Sequence, residues 1–192
     1  MLPLVLASSS PFRSTLLKKL NLSFSCRSPE VDETPLKNEL AHKLVTRLAA
    51  AKARAVVVPG TDELIIGSDQ VAVFADQIIG KPLTHARAQA QLRRFSGNSV
   101  TFLTGLCLLN TRSGTTHTLV EPFEVKFRRL SDAQIERYLT LDQPYQCAGS
   151  FKCEGYGITL FEQLKGDDPN SLVGLPLIRL VELLQRESIN LP

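Results

Sequence analysis

The chain has 192 residues, of which 43% are hydrophobic and 21% charged, and this composition is typical of a soluble globular protein with one substantial core. The net charge of +3 is small and the basic residues are scattered, which argues against nucleic-acid binding. None of the four cysteines shows the Cys-x-x-Cys spacing of a zinc or redox site, and the apolar run Leu2 to Ala7 is too short for a signal core or a membrane span, so we expect a cytoplasmic protein.

The first half of the chain predicts a strand, two helices and a hairpin. Leu4 to Ala7 is apolar and is followed by three serines, of which Ser10 is the natural N-cap of a helix with Pro11 at its first position. The predicted elements that follow are a loop carrying Glu30, Asp32 and Glu33, a helix from about Asn38 to Val57, and strands over Leu64 to Phe74 and Gln77 to Lys81 joined by Ala75-Asp76.

The second half adds long strands and further helices. The predicted elements are a helix from about Thr84 to Phe95, strands over Val100 to Leu109 and Thr116 to Arg128, a helix from Ser131 to about Leu141, a loop over Cys147 to Gly157, a turn at Asp167 to Asn170 and a helix over Pro176 to Arg186, while Ile158 to Leu164 fits either a strand or a helix. Because strands and helices mix without strict βαβ alternation, the predicted fold class is α/β, with a mixed, partly antiparallel central sheet flanked by helices. Residues 1–192 are expected to form a single domain.

Arg13 is the first candidate binding residue. With Ser10 as N-cap, it falls at the third helical position, where the helix dipole disfavours a cation by up to about 1 kcal/mol. An anion at this helix start would compensate, since backbone N–H groups, serine hydroxyls and a guanidinium together bind phosphate. The alternative is an ordinary serine cap with a solvent-facing Arg13.

Asp69 is the candidate catalytic residue. It stands in Gly67-Ser68-Asp69-Gln70, which interrupts an apolar strand, and a buried carboxylate is costly unless it is paired or binds a metal. A two-residue hairpin turn would pair Gln70 with Lys81 and bring that lysine within one residue of Asp69. A strand-end aspartate that faces solvent is the alternative.

The loop Glu30-Val31-Asp32-Glu33 is the candidate metal-binding segment. Its carboxylates suit a hard cation such as magnesium or manganese that bridges to phosphate oxygens. Charged loops are more often simply solvated, and this alternative stays open at this point.

Short motifs along the chain share the order and spacing of one known family. They are Leu6-Ala7-Ser8-Ser9-Ser10-Pro11-Phe12-Arg13, Val31-Asp32-Glu33, Gly67-Ser68-Asp69-Gln70, Gly80-Lys81-Pro82, Ser96-Gly97, Thr104-Gly105 and Gly174-Leu175-Pro176-Leu177. On these motifs the chain resembles the Maf family of nucleotide pyrophosphatases over nearly its whole length. Ordered matches of this kind are far more specific than any single motif.

The resemblance implies a fold, a reaction and a set of site residues. The fold would be Maf/inosine-triphosphatase-like, with two lobes around a nucleotide cleft, and the reaction would split a nucleoside triphosphate between its α- and β-phosphates with a divalent cation, Mg, Mn or Co. Asp69 would be the proton acceptor and a metal ligand, together with Glu33, and phosphate contacts would come from Ser8, Ser10, Arg13, Lys52 and Lys81. A lysine on a long helix, such as Lys52, is normally exposed. The family also suggests a homodimer.

Two departures from the commoner family pattern concern the base. Phe12 stands where most members have a second arginine, and Glu154 stands where most have a glutamine. An aromatic residue together with a carboxylate at these positions resembles the subgroup that acts on 7-methylguanosine triphosphate. N7 methylation makes the purine cationic, so stacking on Phe12 would gain about 0.5 to 2 kcal/mol, while Glu154 would accept the N1–H and N2–H donors of guanine. Gln70 would complete the specificity set. Alternatively, Phe12 packs in the core four residues before Leu16, and Glu154 is an exposed loop acid.

Three functions remain on the sequence alone. The first is hydrolysis of 7-methylguanosine triphosphate, with the removal of modified nucleotides as its cellular task, and the second is dTTP or UTP hydrolysis, as in the commoner subgroup. The third is a non-catalytic nucleotide sensor that regulates cell division. A sensor needs no activated water, so the joint presence of Asp69, Glu33 and Lys81 favours an enzyme.

Overall fold

The computed structural model describes residues 2–192 and contains seven strands and six α-helices in that range. In chain order these are β1 (Leu4–Ala7), α1 (Pro11–Lys18), β2 (Phe24–Arg27), α2 (Ala41–Ala55), β3 (Leu64–Phe74), β4 (Gln77–Ile79), α3 (His85–Phe95), β5 (Ser99–Asn110), β6 (Thr116–Phe127), α4 (Asp132–Asp142), β7 (Phe161–Lys165), α5 (Pro169–Val173) and α6 (Leu177–Arg186). Short 3₁₀ turns cover Ala148–Ser150 and Tyr156–Leu160. No helix within residues 2–192 combines the length and the apolar character that a membrane crossing requires.

All seven strands belong to one mixed sheet. Its order is β2-β1-β3-β5-β6-β7, and β4 pairs with β3 off this path. Strand β1 is parallel to both β2 and β3, whereas β4 runs antiparallel to β3 and β7 antiparallel to β6. The predicted mixed, partly antiparallel sheet flanked by helices is therefore confirmed.

The chain divides into two compact units. The first comprises the residues up to Gln70, then Thr104–Glu121 and Asp168–Pro192, and the second comprises Val71–Leu103 and Pro122–Asp167. Strands β3, β5 and β6 contribute residues to both units. Whether the whole chain folds as a single domain stays a prediction.

In the first unit, helices cover both faces of the sheet. Leucines of α1 and α6 pack with the even-numbered residues Leu4, Leu6, Leu64 and Ile66 on one face. Small residues of α2 pack with Val5, Ala7 and Ile65 on the other face. Successive side chains of a strand point to opposite faces, so β1 and β3 read as continuous apolar runs that are buried on both sides.

In the second unit, the core is built from aromatic rings. The Phe127 ring lies 5.4 Å from those of both Phe95 and Phe161, and the Phe151 ring lies 4.8 Å from that of Phe161. The two pairs that involve Phe161 are edge-to-face, and such contacts stabilise the core beyond the burial of the rings themselves. The second unit therefore has a core of its own, made of residues from α3, β6, β7 and the segment before β7.

The hairpin formed by β3 and β4 is shorter than predicted. Ala75 and Asp76 have φ angles of 49° and 58°, as in a two-residue primed turn, and Phe74 pairs with Gln77 as expected. Pairing stops at Ala72 and Ile79, so the predicted Gln70–Lys81 pair does not form. The reason is local, because the Gly80 carbonyl accepts from Gln91 Nε2 and Pro82 has no N–H to donate.

Two further predictions of local structure were wrong. A strand, β2, forms in the segment before the acidic loop, where none was predicted. The predicted turn at Asp167 to Asn170 instead opens helix α5, since Asp168 Oδ1 accepts from Asn170 N–H at 2.8 Å and Pro169 takes the first helical position.

Candidate active site

The corner between β1 and α1 is ordered by two serines. Ser10 Oγ accepts from the Arg13 N–H at 3.4 Å, and the Ser10 N–H donates to Ser8 Oγ at 3.1 Å. Ser8 is buried. The predicted N-cap is confirmed, and both hydroxyls lie at the positive end of the α1 dipole.

The Arg13 side chain is held against the backbone rather than extended into solvent. Its Nε donates to the Gly174 carbonyl at 2.8 Å. Burial lowers the pKa of the Arg13 guanidinium, while the nearby carboxylates of Asp69 and Glu33 act in the opposite direction, and an arginine stays protonated in either case. The alternative of a solvent-facing arginine is therefore wrong, and Arg13 belongs to a cluster with Asp69 and Glu33.

Strand β3 presents its polar residues on two different faces. Gly67 faces α2, since a Cβ there would overlap the carbonyl oxygen of Ala49, and Asp69, two residues on, faces the same way. Ser68 faces the other side, where its hydroxyl lies 2.9 Å from the carbonyls of both Gly105 and Gly174. Ser68 had no predicted role, although its place in the Gly67-Ser68-Asp69-Gln70 motif marked the position.

Glycines let α2 lie directly on the sheet. A Cβ at Gly67 would collide with Ala49 and Ala53, and one at Gly105 would collide with Val45. The close approach places Lys52, which lies between those alanines on α2, against β3. Two of the sequence motifs, Gly67-Ser68-Asp69-Gln70 and Thr104-Gly105, thus have a shared packing function.

Lys52 joins the two candidate metal ligands. Its Nζ lies 2.6 Å from Asp69 Oδ1 and 2.5 Å from Glu33 Oε1. Lys52 is 7% exposed and Asp69 is 6% exposed, so these charges are largely removed from water. The alternative of a solvent-facing Asp69 is therefore wrong, and so is the expectation that Lys52 is exposed like most lysines on long helices. Glu33 keeps half of its side-chain surface exposed and reaches Lys52 from the acidic loop.

Gln70, the next residue of β3, is held by hydrogen bonds to Thr104 and Ser171. Its Nε2 donates to Thr104 Oγ1 at 2.9 Å and to the Ser171 carbonyl at 2.8 Å. The Thr104 hydroxyl also donates to the Ser171 carbonyl at 2.9 Å. Both amide N–H groups therefore have protein partners, and any contact of Gln70 with a base would use its Oε1.

The predicted residues of the second unit share one charged neighbourhood. Lys81 and Glu154 are exposed, and both act electrostatically on Cys147, together with Lys152 and Asp142. Burial, then Glu154, raises the pKa of the Cys147 thiol, whereas Lys152 and Lys81 act to lower it. Both predicted side chains thus act on the same thiol within this unit, and the ion-pair partner of Asp69 is Lys52 instead of Lys81.

Phe12 lies at the surface. It is 37% exposed, whereas Leu16, four residues later, is buried in the core. The alternative in which Phe12 packs into the core is therefore wrong. An exposed aromatic ring beside the Ser10 cap is available for stacking.

The carboxylates of the first unit fit a magnesium-type ion that is only partly bound by protein. Glu33 and Asp69 offer two carboxylate groups on either side of one ammonium, and within residues 2–192 no group of three or more His, Cys, Asp or Glu side chains is placed to hold a metal. Mg²⁺ is commonly held by one or two carboxylates plus substrate phosphates and water. The donor set therefore suits a cation that arrives with a phosphorylated substrate.

Comparison with known proteins places the chain next to well-defined relatives. The Maf family, described as "Maf-like protein", matches residues 3–187. A protein of Nitrosococcus oceani named "7-methyl-GTP pyrophosphatase" is 59% identical over 95% of this chain and 92% of its own length. A protein of Pseudoalteromonas translucida with the same name is 59% identical over 95% of this chain and 90% of its own length.

Among solved structures, the Staphylococcus aureus Ham1 protein is similar to part of the chain. The match has a TM-score of 0.44 and 14% sequence identity, and it covers 65% of this chain and 71% of that one.

Proposed function

Because the chain belongs to the Maf family, we propose that it is a pyrophosphatase that hydrolyses 7-methylguanosine triphosphate to the monophosphate and pyrophosphate. The observation that carries the reaction is the cluster in which the buried Lys52 bridges the buried Asp69 and the half-exposed Glu33 beside Arg13. The names of two relatives that are 59% identical over most of the chain support the substrate.

Asp69 is the proton acceptor in this proposal. Lys52 contacts Oδ1 in the nucleotide-free structure, and the second carboxylate oxygen, Oδ2, is the one proposed to take a proton from a water molecule when substrate is bound. The water oxygen bonds to the α-phosphorus as the bond to the bridging oxygen breaks, and pyrophosphate leaves with that electron pair. A general base contributes roughly 10² to 10⁴ in rate.

The phosphate contacts come from the start of α1 and from the lysines. Ser8, Ser10 and the N–H groups of α1 supply donors, and Arg13 supplies a guanidinium whose position is set by the Gly174 carbonyl. Lys52 contributes a further positive charge, and the family resemblance assigns the same role to Lys81. Positioning and charge stabilisation of this kind dominate phosphoryl transfer.

A divalent cation, Mg, Mn or Co, is part of the proposal. Glu33 and Asp69 would hold it, with phosphate oxygens and water as the remaining ligands. When bound, it would neutralise charge that develops on the phosphate oxygens.

Phe12, Glu154 and Gln70 are proposed to select the base. The exposed Phe12 ring suits a cationic methylated purine, and the exposed Glu154 carboxylate can accept two donors from a guanine edge. Gln70 acts through Oε1 or through its bracing of β3.

Pyrophosphate release from 7-methylguanosine triphosphate tests the reaction. The purified chain with Mg²⁺, Mn²⁺ or Co²⁺ should release pyrophosphate, and Asp69→Asn should lower kcat by at least about 10². Asp76→Asn is the matched control, because Asp76 is an exposed turn residue whose positive φ also suits asparagine. If 7-methylguanosine triphosphate stays intact with each of the three metal ions, the proposal is wrong.

The commoner subgroup's activity is the alternative substrate assignment. Rates on 7-methylguanosine triphosphate and on dTTP or UTP should be compared for the wild type and for Phe12→Arg with Glu154→Gln. We expect the wild type to prefer the methylated purine and the double variant to lose that preference. A wild type that prefers dTTP or UTP would move the chain to the other subgroup.

The sensor hypothesis makes a separate prediction. A non-catalytic regulator of cell division would bind nucleotide tightly without releasing pyrophosphate. Turnover that depends on Asp69 excludes it. The cytoplasmic location, the homodimer and the removal of modified nucleotides stay predictions, which cell fractionation, sedimentation and a deletion strain would test.

A further inference from the structure

The Lys52 ammonium sits between the two carboxylates that a divalent cation would need. Its Nζ contacts Asp69 Oδ1 at 2.6 Å and Glu33 Oε1 at 2.5 Å, and the residue is almost fully buried within α2. A buried lysine is tolerated because the two opposite charges replace its lost hydration. The same oxygens cannot be fully available to a metal ion while this ammonium contacts both.

The charge of the cluster points the same way. Arg13 lies close enough to act on both Asp69 and Glu33, and Arg47 also acts on Asp69, so Lys52 is not the only cation beside these carboxylates. A bare divalent ion would add positive charge beside these cations, and Lys52 and Asp69 are largely removed from water, so the addition is unfavourable. A divalent ion that arrives with a triphosphate carries excess negative charge instead, and Arg13 and Lys52 attract it.

We propose that Lys52 and the divalent cation compete for Asp69 and Glu33, so that the protein alone binds the cation weakly and acquires it as the nucleotide complex. On nucleotide binding, Lys52 Nζ turns from the carboxylates to a phosphate oxygen. Lys52 thereby prevents the site from holding a metal without substrate. This inference rests on the proposed function for the identity of the nucleotide, but the competition itself does not require turnover.

Mn²⁺ binding to the full chain without nucleotide tests the competition. Free Mn²⁺ is measured by electron paramagnetic resonance for the wild type, Lys52→Gln and Lys52→Met. Removal of one cation from the cluster should tighten Mn²⁺ binding by at least about tenfold. Lys43→Gln is the matched control, because Lys43 is exposed on the same helix and its loss should leave the Mn²⁺ affinity unchanged.

A triple comparison separates competition from a permanent structural ion pair. Adding Asp69→Asn to Lys52→Gln should remove the gain in affinity, since one of the two carboxylates is then lost. Unchanged or weaker Mn²⁺ binding in folded Lys52→Gln and Lys52→Met would overturn the proposal. If neither variant folds, as judged by circular dichroism, the wild type decides, after subtraction of the Mn²⁺ that the nucleotide binds without protein. Mn²⁺ binding to the protein that is at least about tenfold tighter with a non-hydrolysable nucleotide supports the proposal, and equal affinity with and without nucleotide overturns it.

The outcomes distinguish this inference from the proposed function. Substrate that stays intact while Lys52→Gln gains Mn²⁺ affinity would reject the activity and keep the competition. Turnover by the wild type, together with unchanged Mn²⁺ affinity in Lys52→Gln, would support the activity and reject the competition.

Discussion

Gly174 sets the position of the Arg13 guanidinium. Its φ of 118° is one that side-chain-bearing residues rarely adopt, and a Cβ there would lie 3.3 Å from Arg13 Nε. Gly174→Ala should therefore lower the free energy of unfolding by about 1 to 3 kcal/mol through backbone strain and should also raise KM for the nucleotide by displacing Arg13. Urea denaturation and steady-state kinetics measure the two effects separately.

Gly114→Ala is the matched control for Gly174→Ala. Gly114 also has a positive φ, of 73°, but a Cβ there would meet nothing within 4 Å. The control should lose stability by strain while its KM stays at the wild-type value. If both variants show the same KM, Gly174 does not act through Arg13.

For single residues, the sequence predicted which residues have a special local role better than it predicted their interaction partners. The Ser10 cap and the misplaced cation at Arg13 were readable because capping is decided within one helical turn. The partner of Asp69 was not, since Lys52 lies 17 residues away and reaches it only through the packing of α2 on the sheet. The predicted hairpin register placed Lys81 next to Asp69 instead, but the Gln70–Lys81 pair on which this depended does not form because β4 ends at Ile79.

At the level of elements, the contact between α2 and β3 depends on Gly67. A methyl group there would overlap the Ala49 carbonyl and crowd Ala53, and backbone of a packed helix cannot yield as a flexible side chain does. Gly67→Ala should therefore destabilise the protein by about 3 kcal/mol or more and should lower kcat, because displacement of α2 carries Lys52 away from both Asp69 and the phosphates that it is proposed to contact. Urea denaturation and pyrophosphate release measure these changes.

Gly80→Ala provides the comparison for Gly67→Ala. A Cβ at Gly80 would meet nothing within 4 Å, so its free energy of unfolding should stay within about 0.5 kcal/mol of wild type. Equal stability of the two variants would show that α2 adjusts without cost. In that case the close packing would not be what holds Lys52.

Strands with a strong local pattern were predictable, and those without one were not. Strand β3 was predicted from Leu64 to Phe74 because its residues form a long apolar, β-branched run. Strand β2 has two exposed residues among its four, Ser25 and Cys26, and is held by parallel pairing to β1. That pairing is a long-range interaction, which a local pattern does not contain.

On the scale of the whole molecule, the motifs that identified the family are distributed over both units. Phe12, Asp69 and Arg13 lie in the first unit, whereas Lys81 and Glu154 lie in the second. Their order could be read along the chain, but the division into units accompanies the burial of an aliphatic core in one and an aromatic core in the other. The core of each unit therefore positions the motif residues that lie in that unit.

The ionisation of one thiol in each unit, the buried Cys107 and the partly buried Cys153, should limit stability at alkaline pH. Burial raises the pKa of Cys107 to about 11 in the first unit, and burial together with Glu154 raises that of Cys153 to about 12 in the second. The pKa of an unfolded cysteine is about 8.5, so between that pH and the pKa of the folded thiol the unfolded chain has released a proton that the folded chain keeps. The free energy of unfolding should then fall as pH rises, by about 1.4 kcal/mol per pH unit for each thiol.

Cys107→Ala isolates the part of this pH dependence that belongs to the first unit. Urea denaturation at pH 7, 8, 9 and 10 under reducing conditions should show the variant losing less stability than wild type above pH 8.5, by about 1 to 2 kcal/mol at pH 10. The cost of the missing sulfur is the same at every pH, so only the change in the difference counts. Cys26→Ala, at an exposed thiol, should follow the wild-type curve. Parallel curves for wild type and Cys107→Ala would mean that the folded chain releases the Cys107 proton as readily as the unfolded chain does.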